Sequence, residues 1–195
     1  MKPNQTLLDL LLEVQTLDRV PRMGYPLRGV VDSESVTEHS WHVVFLVWAH
    51  APHIPDLESG RALELALVHD LAEVRFGDLP QTAARYLAPG AKQAAEMAAA
   101  REILAPAGDR AVELLAEYQA GLTREAKLVK ACDKLQLMLK VATYERWGAG
   151  GLGEFWENEA NFRDGGFPIV DQLYQELRER RSRSHGASGR PSDAP

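Results

Sequence analysis

The stretch ALVHDLAEVRFGDLP, residues 66–80, sets His69 and Asp70 side by side in an apolar helical pattern, with Glu73 and Asp78 close behind. Two adjacent ionisable groups on the core side of a helix need a partner that offsets the cost of burying them. His39 falls four residues into another helical segment, and VKACDKLQ sets Asp133 inside a third, on the stripe of Val129 and near Leu137. Two neutral imidazoles and two carboxylates from three helices form a mixed nitrogen and oxygen set. Such a set suits one borderline divalent ion, with water in the remaining positions. The ion would offset the burial and acidify a water enough to supply a nucleophile near neutral pH. Taken singly, each residue reads as a core histidine with a hydrogen bond or as a solvated helix acid. The four together, each in an apolar helical context, carry the inference. His42, one turn beyond His39, reads as a supporting or surface residue, and so do His50 and His53 beside the APHIPD loop.

The elements that must position these groups are helical almost throughout. Leu7, Leu8, Leu11 and Leu12, with Val14, mark one face of a first helix beginning after Pro3-Asn4. An irregular Pro/Gly-rich connection, DRVPRMGYPLRGVVD, follows. Ser35 opens the second helix with SVTE, a capping-box pattern, and the helix runs to about Ala51. A third helix is expected over 58–75, stopped near Gly77. Two more cover about 90–104 and 110–120, and the longest starts after its cap Thr123 and reaches Trp147. After GAGGLG come shorter helices near 154–163 and 169–181. No segment alternates with period two long enough to make a strand, and no internal repeat is visible. The folded domain is placed at 1–181. The tail 182–195, which has no large apolar residue, is expected to be disordered.

Bulk properties narrow the function. The chain has 195 residues, enough for one domain with a substantial core. Its 22 basic and 28 acidic residues give a net charge of −6, which argues against a nucleic-acid surface. The single cysteine, Cys132, excludes an internal disulfide framework and points to a reducing cytoplasm. MKPNQTLLDLLLEV lacks a small-residue cleavage site and reads as an amphipathic helix, not a signal peptide. VVFLVWA is too short to span a bilayer, so no membrane partner is expected.

His39, His69-Asp70 and Asp133 resemble the H…HD…D signature of the HD-domain superfamily of metal-dependent phosphohydrolases. LDRVPRMGY, ESVTEHSWHV, ALVHDLAEVRFGDLP and KLVKACDKLQ are similar to its 5′-deoxynucleotidase branch, and the likeness spans about residues 5–165. The resemblance implies an all-α HD-domain helical bundle, in agreement with the helical periodicity. It implies hydrolysis of (deoxy)nucleoside 5′-monophosphates, a small-molecule substrate, with His39, His69, Asp70 and Asp133 holding one divalent transition metal ion: Mn, Co, Fe, Ni or Zn. Glu73 would be the general acid/base, Asp78 would approach the sugar 3′-hydroxyl, and Arg19 would contact phosphate, with Arg22 the weaker candidate. Spacing alone leaves Glu73 open to pairing with Arg75 and Asp78 open to a turn role. Val20 stands where well-known bacterial members carry a tryptophan against the sugar 2′ position, so selectivity for deoxy sugars is expected to be modest. Trp41 and Trp48 read as helix-packing residues.

Relatives of this kind are often dimers, so a homodimer is one expectation; EFWENEANF could supply its interface, though core packing is the commoner use of such residues. Residues 71–132 contain no histidine, which favours one metal over two. No Lys/Arg cluster or Gly-rich phosphate cradle is visible beside the motifs, which favours monophosphates over longer chains. The alternatives are an HD phosphohydrolase acting on nucleoside triphosphates or alarmones, and a non-catalytic HD binding module.

Overall fold

The computed structural model describes residues 6–187. Among them the regular elements are helices, α1 (Leu7–Val14), α2 (Val36–His50), α3 (Ser59–Val68), α4 (Glu73–Phe76), α5 (Gln81–Ala84), α6 (Ala91–Leu104), α7 (Asp109–Ala120), α8 (Arg124–Arg146), α9 (Gly153–Glu157) and α10 (Pro168–Ala187), joined by short 3₁₀ turns. The all-α expectation holds.

The core is built around α8. Thr123 caps it, its hydroxyl accepting the Ala126 amide at 3.3 Å. Leu128, Val129, Ala131, Cys132, Leu135, Met138 and Val141 are then buried on successive turns all round the helix. A helix buried on several sides must be wrapped, and α2, α3, α7 and α10 pack against it.

Both faces of α2 are apolar, so its orientation is not set by polarity. The buried stripe is Val36, His39, Val43, Val47 and His50, spaced three and four apart. This leaves Trp41 61% and Trp48 60% exposed, each ring beside Phe45 with centroids 5.6 and 5.7 Å away. The packing role expected of these tryptophans is therefore corrected. α1 behaves likewise: its capping box of Thr6 and Asp9 forms, but Leu10 turns inward and Leu7, Leu8, Leu11 and Leu12 face solvent. The buried pair is Leu10 and Leu17, seven residues apart across the following turn.

Other differences concern boundaries. The helix expected over 58–75 stops at Val68, and tight turns carry the chain to α4. The aromatic segment 154–162 folds inward and buries Phe155, Trp156 and Asn161, the core-packing use of such residues. α10 continues to Ala187, six residues past the expected boundary at 181; residues 188–195 of the expected disordered tail lie outside those described. No described helix is long and apolar enough to cross a membrane.

Candidate active site

The capping box that starts α2 also places its histidine. The Ser35 amide donates to Glu38 Oε2 at 2.7 Å and the Glu38 amide returns to Ser35 Oγ at 3.2 Å. His39, one turn in, is fully buried and faces α8. Its Nδ1 lies 2.6 Å from Gln136 Oε1, and Gln136 Nε2 donates to the Glu34 carboxylate at 2.9 Å. Lys140 Nζ holds the same carboxylate at 3.1 Å. This order fixes the hydrogens. A carboxylate cannot donate, so the amide nitrogen of Gln136 must point at Glu34 and its oxygen at His39. His39 Nδ1 therefore carries the proton, and its Nε2 presents a lone pair.

His69 reaches the same state by another route. At the end of α3 its Nδ1 donates to Ala66 O at 2.7 Å, again leaving Nε2 bare. The two Nε2 atoms face each other at 3.4 Å. Asp70 Oδ2 lies 3.2 Å from His69 Nε2 and 3.4 Å from His39 Nε2, and Asp133 Oδ1 from α8 lies 3.3 Å from His39 Nε2. The tightest group is His39, His69 and Asp70, whose ligand atoms all fall within 4.8 Å of one another; Asp133 closes it from the α8 side. Two imidazole lone pairs and two carboxylates converging on one point fit a divalent cation. The hydrogen bond on the far nitrogen of each ring is the support that metal-binding histidines commonly have.

The break after Val68 decides where Glu73 goes. Leu71 N donates to Val68 O at 3.2 Å and Glu73 N to Asp70 O at 3.0 Å, three-residue turns that end α3 and start α4. Glu73 is thus not on a continuous helix with His69, yet it lines the same cavity and is only 4% exposed. Its Oε2 is buried without a hydrogen-bond partner. Burial, reinforced by the charges of Asp70 and Asp78, pushes its pKa up to about 10. Burial also acts on Asp70, but His69, His39 and Arg22 outweigh it and hold that carboxyl well below the ordinary range. One carboxyl is kept protonated beside others kept ionised, the division of labour that acid/base chemistry needs.

The two arginines stand differently toward the cavity. Arg19 ends the turn Gln15–Arg19, is exposed, and does not line the cavity. Beyond it the chain is an extended strap: Val36 N donates to Val20 O at 2.8 Å, Pro21 bridges Ser35, and Arg22 N donates to Glu34 O at 3.0 Å. Side chains of an extended strap alternate, so Arg19 and Pro21 point out and Arg22 points in. Arg22 Nη1 reaches Asp78 Oδ1 at 3.3 Å and Asp70 Oδ2 at 3.5 Å, and Nη2 lies 3.9 Å from Asp133 Oδ1. Asp78 Oδ2 also accepts the Met23 amide at 2.6 Å, fixing the strap. Val20 does not line the cavity.

The cavity, about 760 Å³, also exposes residues that motif reading missed. Lys92 from α6 and Lys130 and Lys134 from α8 line it together with Arg22, a basic cluster that the linear sequence conceals. Tyr118 of α7 stands edge-on to His69, with ring centroids 5.5 Å apart. Gln136 left one signal, a polar residue within the apolar stretch LQLML, whereas Glu34, in the polar run DSES, left none. His42 and His50 bond the carbonyls of Glu38 and Leu46, and neither they nor His53 lines the cavity, as expected of supporting or surface residues.

Comparison with known proteins bears on this arrangement. A model of the HD domain family matches residues 14–164. The human 5′-deoxynucleotidase HDDC2 is 34% identical over 190 residues, covering 94% of this chain and 90% of the relative. A conserved hypothetical protein of Pyrococcus furiosus superposes with a TM-score of 0.76 at 35% identity, over 90% of this chain and 99% of its own. The HD phosphohydrolase DatZ of cyanophage S-2L, whose structure holds dA and one catalytic Zn²⁺, shares the fold at a TM-score of 0.54 and 24% identity, over 89% of this chain and 94% of its own.

Proposed function

The chain belongs to the HD domain family, and we propose that it is a metal-dependent phosphomonoesterase that hydrolyses deoxynucleoside 5′-monophosphates to nucleoside and phosphate. One observation carries the reading: two bare imidazole nitrogens and two carboxylates meet in a cavity beside a buried, unpartnered glutamic acid. The name of the human relative, a 5′-deoxynucleotidase, supports the substrate class.

His39, His69, Asp70 and Asp133 would hold one divalent ion, Mn, Co, Fe, Ni or Zn. It supplies Lewis acidity toward the phosphoryl oxygens and acidifies the attacking water. Glu73 holds a proton at the point where the alcohol leaves. Water adds to phosphorus as the bond to the 5′-oxygen breaks, Glu73 gives its proton to that oxygen, and the carboxylate formed takes up the proton the water releases. Arg22, not Arg19, offsets phosphate charge from the strap side. Asp78 orients Arg22 and Met23 and keeps lone pairs for a sugar hydroxyl, since a carboxylate accepts about four hydrogen bonds. The single, fully buried Cys132 suits a reducing cytoplasm, and the net charge of −6 disfavours a nucleic-acid partner. A homodimer would use a face other than 154–162.

Lys92 and Lys134 favour a second reading, a triphosphate substrate. Both are partly neutralised, Lys92 by Glu96 at 3.4 Å and Lys134 by Asp133 at 3.8 Å, which weighs against that reading. Steady-state kinetics on dAMP, AMP, dATP and ATP with Mn²⁺ or Co²⁺ test the proposal. Phosphate release from dAMP at much higher kcat/KM than from dATP is expected, with AMP closer to dAMP. Dominant triphosphatase activity, or no turnover of any monophosphate by metal-loaded protein, would overturn it.

A further inference from the structure

We infer that Lys130 is a phosphate-contacting residue of this cavity, receiving the phosphate group of the substrate and of the inorganic product. The inference rests on the phosphomonoesterase reading above and adds to it a role for a residue to which the sequence reading gave none.

Most cations around the cavity are already engaged. Arg22 is shared among Asp70, Asp78 and Asp133, Lys134 faces Asp133, Lys92 faces Glu96, and Arg28 pairs with Glu154. Arg85 is exposed. Lys130 is different. It is half-buried, lines the cavity, and has no carboxylate within 4.0 Å among the described residues.

The fold holds this lysine in place. It lies three residues before Asp133 on α8, so both project from one face of the helix. Its stem crosses the end of α7 at Gly121, whose left-handed conformation (φ +62°) caps that helix. A Cβ at Gly121 would stand 2.8 Å from Lys130 Cε and 3.3 Å from Cδ, so the glycine makes room for the stem. The ammonium rests 4.3 Å from the centre of the Tyr118 ring, the ring that stands edge-on to His69. Lys130 is thereby placed on the α7–α8 wall beside the histidine pair, while Arg22 arrives from the strap before α2.

The chemistry follows from charge. An ammonium withdrawn from water without an anionic partner is costly, and an aromatic face compensates only part of that cost. A phosphate dianion is the missing partner. A lysine binds it as a mobile point charge with three donors, able to leave the ring and follow the oxygens. The carboxylates of Asp70, Asp133 and Asp78 would repel phosphate, so a half-buried cation with no carboxylate beside it weighs heavily in its binding.

The test uses the full chain loaded with Mn²⁺ and compares Lys130→Met and Lys130→Arg with the parent. Metal content, deoxyadenosine affinity, inhibition by inorganic phosphate, and kcat and KM for dAMP are read. In Lys130→Met the inhibition constant for phosphate and the KM for dAMP are expected to rise about 10–100-fold, the loss of one charged hydrogen bond. Metal content and deoxyadenosine affinity should stay at parent values, and Lys130→Arg should recover most of the loss. Unchanged phosphate inhibition in Lys130→Met would overturn the inference, and so would a loss of metal or of deoxyadenosine binding equal to the loss of phosphate. Calorimetric titration of inorganic phosphate into the same proteins keeps the two ideas apart. If the parent fails to hydrolyse any monophosphate, the functional reading falls, while equal phosphate binding by parent and Lys130→Met would still refute the role of Lys130.

Discussion

His39 and His69 turn their Nε2 atoms toward each other across 3.4 Å, each with its Nδ1 hydrogen already given to another acceptor. Two lone pairs at that separation repel unless a cation or a proton lies between them. The carboxylates of Asp70 and Asp133 beside them make a divalent ion the better occupant.

His69→Ala and Asp133→Ala should therefore lose bound metal and dAMP hydrolysis together. Metal content after dialysis, read beside phosphate release, checks this. Full occupancy with parent turnover in both variants would refute the site.

Gln136→Leu should lower metal affinity about 10–100-fold without touching a ligand. The leucine keeps the volume but cannot accept from His39 Nδ1, so the ring loses the bond that fixes its orientation and tautomer. Metal titration of the apoprotein checks this; an unchanged dissociation constant would mean that the relay to Glu34 is only structural.

Glu73→Gln should retain the metal and most of the affinity for dAMP while kcat falls about 10²–10⁴-fold, the usual worth of a general acid/base. An amide cannot deliver the proton to the leaving oxygen. Loss of metal in this variant would instead make Glu73 a ligand.

Arg22→Met should destabilise the protein by about 3–5 kcal/mol and abolish measurable turnover, because it strands the carboxylates of Asp70, Asp78 and Asp133. Arg19→Met, an exposed change, should stay within about 0.5 kcal/mol of the parent. Thermal unfolding and kinetics of the pair check the assignment, and the reverse pattern would restore Arg19 to the phosphate.

The sequence by itself determined what depends on local chemistry. The Ser35–Glu38 capping box, the Thr123 cap and the 3.6-residue apolar period are properties of a few neighbouring residues, and α2 and α8 start where those signals place them. The grouping of His39, His69, Asp70 and Asp133 was legible too, because each stands in an apolar setting that a lone polar residue would not occupy. Tertiary structure decided what local signals left degenerate. Apolar residues on every side of α1 and α2 say that something is buried but not which face; packing of α1 on the turns Gln15–Arg19 and Ala105–Ala107 turned Leu10 inward, and packing of α2 on α3 and α8 left Trp41 outward. Arg22 lines the cavity because the strap's pairing with Glu34 and Ser35 sets the alternation of its side chains. Lys92 and Lys130 entered one cavity because α6 and α8 converge there, and the sequence carries no mark of a meeting between residues so far apart.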